Sequence, residues 1–178
     1  MPKGHDGASG RLALTLSIAG LTLLLWAGPI ASQAPETYDT VMVDASGHLH
    51  IRTKDRRQIH PPNDPDQVGF DKAAISPDRL AVGWLALFPN CCTSYPIPLK
   101  LVVFVSGKVH SFVGTGLPVW KWRFDCTSQQ VAFYQETVHG GMGGHYELRD
   151  IATERLVAQY EPSDSGPPPP WVRPVAAQ

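Results

Sequence analysis

Between Thr40 and Tyr160 the apolar positions come in short alternating runs, not at helical spacing. In "VWKWRFD", Val119, Lys121, Arg123 and Asp125 fall on one side of an extended strand, and Trp120, Trp122 and Phe124 fall on the other. That alternation marks a half-buried strand. "AVGWLALF" (81–88) and "LKLVVFV" (99–105) are apolar on both sides, as expected of strands covered by layers above and below. No stretch beyond the N-terminal apolar run keeps a helical period. The pattern predicts an all-β body.

The strands repeat. Laying "LKLVVFVSGKVHSFV" (99–113) over "YELRDIATERLVAQY" (146–160) at an offset of 47 matches Leu101 with Leu148, Phe104 with Ile151, Lys108 with Arg155 and Val109 with Leu156. Upstream, "AAISPDRLAVGW" (73–84) lies over "WRFDCTSQQVAF" (122–133) at an offset of 49, and the two extra residues fall in the loops "PNCCTSYPIP" and "VHGGMGGH". Each unit reads strand, tight turn, strand, variable loop, strand, tight turn, strand. "GHLHIRTKDRRQIH" (47–60) reads as the second half of a third unit. The expected fold is therefore a set of antiparallel four-stranded meanders. Two and a half units are too few to close a ring within one chain.

"ISPDRLAVGW" resembles the "SPDG…VAF" signature of the TolB-like, WD40-like β-propeller repeats, in which a buried strand follows a tight turn. The resemblance covers roughly residues 38–160 and implies blade-like units. It departs from the family at Arg79, where glycine is usual, and at "DCTS" in the second unit. It implies no particular activity, because such repeats serve many roles.

Both ends differ from this body. Lys3 and Arg11 precede the uncharged run "LALTLSIAGLTLLLWAGPIA" (12–31), followed by small residues. This is the layout of a secretory signal, and also about the length of a membrane span. Residues 1–34 are thus expected to be a signal peptide or an N-terminal anchor, and the chain to be exported, periplasmic or secreted. Residues 35–161 form the β-repeat domain. Residues 162–178, with "PPPP", are expected to be an extended proline-rich tail, solvated or loosely docked. With 15 Lys and Arg against 16 Asp and Glu and no basic stripe, a nucleic-acid partner is not expected. A membrane partner is expected only through an uncleaved N-terminal segment.

Candidate chemistry gathers in two loops. "HGG" within "ETVHGGMGGHYELRD" (136–150) resembles an oxyanion loop, but no G-x-S-x-G elbow accompanies it. His139 and His145 flank the glycines, and the repeat puts Cys91, Cys92 and Tyr95 in the equivalent loop, so these residues are expected on one rim. They form a metal clip or, on the simpler reading, the glycines including Gly141 serve a long hairpin turn. The ligand-binding candidates are Cys91, Cys92, Tyr95, His139, Gly141 and His145; no catalytic set and no cofactor motif is found. Cys91 and Cys92 read as two buried thiols or a vicinal bridge, with Cys126 at the opposite sheet end and unable to reach either. His48 and His50 share a strand face, Asp78 stabilises its own turn, and Trp84, Trp120 and Trp122 read as core. The leading expectation is a non-catalytic protein that binds a protein or other envelope ligand through its loop-rich rim, with self-association as another partner mode. The alternative is a metal-binding or redox-active protein using the same two loops.

Overall fold

The computed structural model describes residues 35–141, 143–162 and 166–178. The apolar N-terminal segment read as a signal or anchor lies outside the described residues. Among the described residues, eleven strands run in chain order: β1 (Tyr38–Val43), β2 (Leu49–Thr53), β3 (Gln58–Ile59), β4 (Gly69–Ile75), β5 (Ala81–Phe88), β6 (Ile97–Val105), β7 (Lys108–Phe112), β8 (Val119–Phe124), β9 (Gln130–Gln135), β10 (His145–Asp150) and β11 (Leu156–Tyr160). They form three antiparallel sheets, β1-β2-β3, β4-β5-β6-β7 and β8-β9-β10-β11, with every strand beside its chain neighbour. The two four-stranded meanders are the two units expected from the internal repeat, and no ring closes among the described residues.

The sheets stack because their central strands are apolar on both faces. Val82, Trp84, Ala86, Phe88, Val102 and Phe104 of the second sheet pack against Tyr38, Leu49 and Ile51 of the first. From its other face, Leu85, Leu101 and Val103 meet Trp122, Phe124, Val131 and Phe133 of the third. Alternation along β5 and β6 thus feeds two cores at once.

Tight turns keep the sheets in step. The turns at 76–79 and 125–128, 49 residues apart, each close with the fourth residue's N–H donating to the first carbonyl, Arg79 to Ser76 at 2.9 Å and Ser128 to Asp125 at 3.2 Å. Arg79 and Ser128 both take left-handed φ, +64° and +61°, so a residue other than glycine occupies a glycine-favouring position twice. Asp78 behaves as expected: its Oδ1 accepts from Leu80 N–H at 3.0 Å and Ser76 Oγ–H at 2.6 Å. Asp78 N–H donates to Ser128 Oγ at 3.1 Å, and Tyr38 N–H to the Arg79 carbonyl at 2.8 Å. These bonds tie the tight-turn ends of all three sheets together.

Three expectations are corrected. A register shift between Val119 and Lys121 places Val119 with Trp122 and Phe124 on the core side, not with Lys121 and Arg123. The bulge absorbs Trp120, whose Nε1–H donates to the Glu136 carbonyl at 3.0 Å. Secondly, the C-terminal tail is not loosely held. Val172 and Val175 are buried against Ala132, Tyr146 and Leu148, and a short helix α1 spans Arg173–Ala176. Lys121 Nζ donates to the Ala176 carbonyl, and Gln178 Nε2 to that of Trp122. The tail covers the face of the third sheet that a further sheet would otherwise cover. Thirdly, Cys91 and Cys92 are exposed, not buried.

Candidate functional site

The aligned tight turns leave the longer connections at the opposite end. Among the described residues, 44–48, 60–68, 89–96, 113–118, 136–141 and 143–144 emerge there, whereas the other end carries turns of two to five residues. Of the six large apolar residues exposed among the described ones, Met42, Val68, Tyr95 and Val113 lie at or next to this loop end; Leu156 and Val157 lie on β11. Four exposed apolar side chains thus share one end of the stack.

The structure places all six sequence candidates at this end, but not in one constellation. Cys91, Cys92 and Tyr95 are exposed on the β5–β6 loop. The two sulfurs lie 2.7 Å apart as free thiols. On the β9–β10 loop His139 and Gly141 are exposed, and Thr137 Oγ1–H donates to the Gly140 carbonyl at 2.7 Å. Gly141 has φ +96°, which a side chain would strain, and a Cβ on Gly144 would meet the Tyr134 ring at 2.2 Å. The glycines therefore serve a long hairpin connection.

His145 has a different employment. It is buried at the start of β10, with Nε2 3.1 Å from Glu147 Oε1 and Nδ1 3.5 Å from Glu161 Oε1. Arg149 Nε–H donates to Glu147 Oε2 at 2.6 Å. The spacing H-x-E-x-R was a readable sign of this, since residues two apart share a strand face. Buried charges survive when paired, so this triad reads as structural. Among the described residues, no group of three His, Cys, Asp or Glu side chains is placed to hold a metal ion.

A second feature was only half visible in sequence. Asp44, in the β1–β2 turn, accepts from the backbone N–H of Ser46 (2.8 Å) and His48 (3.0 Å) through Oδ1. Its Oδ2 lies 2.7 Å from His50 Nε2. Gln58 Nε2 lies 3.4 Å from His50 Nδ1. The His50 bond, then the His48 N–H, pull the Asp44 carboxyl down to about 2. His48, His50, Gln58, His60, Asn63 and Phe70 line a shallow groove of about 330 Å³. "GHLHIR" disclosed His48 and His50; His60 joins them only because Ile51 pairs with Ile59 across β2 and β3.

Trp84 and Trp122 are buried core residues, as expected; Trp120 is half-buried. Cys126 sits in the β8–β9 turn at the tight-turn end. No helix of the described residues is long and apolar enough to cross a membrane. No family model matches the chain, and no curated protein matches it in sequence.

Proposed function

We propose that this chain is an exported, non-catalytic β-repeat protein that binds a protein partner through the loop end of its sheet stack. The observation that carries the reading is the asymmetry of the two ends. One has turns of two to five residues, and the other has connections of five to nine residues with exposed Met42, Val68, Tyr95 and Val113. A rigid scaffold displaying variable loops on one side is a common way to build a recognition surface. Export rests on the charged start and apolar run of residues 1–34. The likeness to TolB-like and WD40-like repeats belongs to the same proposal, supported by the matched turns at 76–79 and 125–128.

Paired substitutions at the two ends test the reading. Val68→Asp and Tyr95→Asp should weaken capture of the partner by at least about tenfold while leaving the unfolding midpoint unchanged. Val157→Asp, on exposed β11, should leave capture intact. Equal capture by all three variants would remove the loop end as the binding surface.

A further inference from the structure

The exposed cysteine pair goes beyond a binding role and does not depend on it. Consecutive residues of an extended strand point to opposite faces. Cys91 and Cys92 instead sit in a turn that brings their sulfurs to 2.7 Å. Side chains fix that turn locally. Asn90 Nδ2 donates to Thr93 Oγ1 at 3.0 Å, Cys92 N–H donates to Asn90 Oδ1 at 3.3 Å, and Thr93 Oγ1–H donates to the Tyr95 carbonyl at 2.6 Å. Both thiols face solvent, so a small reagent can reach them without any opening of the fold.

We propose that Cys91 and Cys92 form a thiol–disulfide exchange site whose substrates are low-molecular-weight disulfides. The Cys91 thiolate attacks one sulfur of R–S–S–R; a Cys91–S–R bond forms, the substrate bond breaks, and the first RS⁻ leaves and takes up a proton from water. Cys92 then attacks the Cys91 sulfur. The Cys91–Cys92 bond forms, and the second RSH departs with the Cys92 proton. Two protein thiols are oxidised, one substrate disulfide is reduced to two thiols, and two electrons change hands.

The contact of the two sulfurs serves both steps. The Cys92 thiol is raised above its ordinary range by its hydrogen bond to Cys91, and then by the charge there; an adduct on Cys91 removes both causes. Adjacent Cα atoms stand about 3.8 Å apart, short of the roughly 4.4–6.8 Å span of relaxed bridges. A bridge so compressed is the more readily reduced, so a small dithiol, itself oxidised to its disulfide, returns both protein thiols. Cys126 is separated from the pair by the length of a strand, roughly 20 Å, and serves as an internal control.

The experiment exposes the reduced full chain to excess oxidised glutathione, quenches by alkylation and reads the peptides by mass. The peptide with Cys91 and Cys92 should be two hydrogens lighter, without adduct or alkyl group, and dithiothreitol should restore both hydrogens. Cys126 should carry either an adduct or an alkyl group. In Cys92→Ser, the adduct on Cys91 should persist at least about tenfold longer than in the wild type, because the neighbouring thiol is no longer held at contact. The proposal falls if wild-type Cys91 keeps its adduct as long as the variant does, or if either thiol bridges to Cys126 or to a second chain. Repeating the measurement in Cys126→Ser removes the third thiol without touching the loop.

Discussion

Gly83→Ala probes the contact between the second and third sheets at its tightest point. Gly83 lies on β5, and an ideal Cβ there would stand 2.5 Å from Cη2 of Trp122, 2.9 Å from Cζ3 and 3.2 Å from Cζ2. Carbon atoms rest at about 3.5–4.0 Å, so the methyl overlaps the ring by roughly 1 Å. The ring has little room to yield. Its Nε1–H donates to the Lys72 carbonyl at 2.9 Å, where a bulge in β4 turns that carbonyl towards it, and Phe124 packs edge-on with centroids 5.1 Å apart. Overpacking of this kind costs about 1–3 kcal/mol. For a domain of this size, at about 3 °C per kcal/mol, the unfolding midpoint should fall by roughly 3–10 °C. Circular dichroism on heating reads the shift, and a double-mutant cycle with Trp122→Phe assigns it. The smaller ring leaves room for the methyl, so Gly83→Ala should cost at least about 1 kcal/mol less in that background. Equal cost in both backgrounds, or no cost in either, would refute the stacking of these two sheets.

Val172→Ala with Val175→Ala strips two buried anchors from the tail. At about 0.8 kcal/mol per methyl lost, each substitution should cost about 1.6 kcal/mol, and limited proteolysis should then cut the tail first; unchanged resistance would count against its docking. Ser106 and Gly107 both have positive φ in the two-residue β6–β7 turn, the geometry that favours Asn-Gly. Ser106→Asn should therefore stabilise by roughly 0.5 kcal/mol, read as a higher urea midpoint. Asp44 and Asp55 are both held near 2 instead of 3.8, Asp44 first by His50 and Asp55 first by Thr53 and then Arg57. Because the folded values are the lower ones, this stabilisation is full above 3.8 and drains away as the pH falls towards 2. Asp55→Asn should flatten the acid limb of stability in that window, measured by urea midpoints at successive pH values.

The alternation in "AVGWLALF" and "LKLVVFV" was enough to show covered central strands, and the near-50-residue repeat placed the boundaries of two sheets. These are local or periodic properties, which a chain displays without folding. What stayed hidden depends on distant partners. Nothing periodic in "PPPPWVRPVAAQ" announces docking; Val172 and Val175 are buried because the third sheet has an apolar outer face still to cover. The bulge at Trp120 follows from competing demands, since the strand must bury Val119 and also free the indole N–H for Glu136. The thiols read as buried because cysteine is usually an interior residue, yet the Asn90 and Thr93 bonds hold their loop out in solvent. The candidate rim was legible as a shared end, and Glu147 and Arg149, at strand spacing beside His145, carried the sign of its separate employment.

The claim on which the rest depends is that the two four-stranded sheets point their long connections the same way. Pulsed dipolar spectroscopy on spin-labelled cysteines measures it directly. In a Cys91→Ser, Cys92→Ser background, labels at Tyr95→Cys and His139→Cys, with Cys126→Ser, should lie closer together than labels at Tyr95→Cys and native Cys126, which stand at opposite ends of the stack. A Tyr95–His139 separation longer than the Tyr95–Cys126 one would contradict the shared loop end.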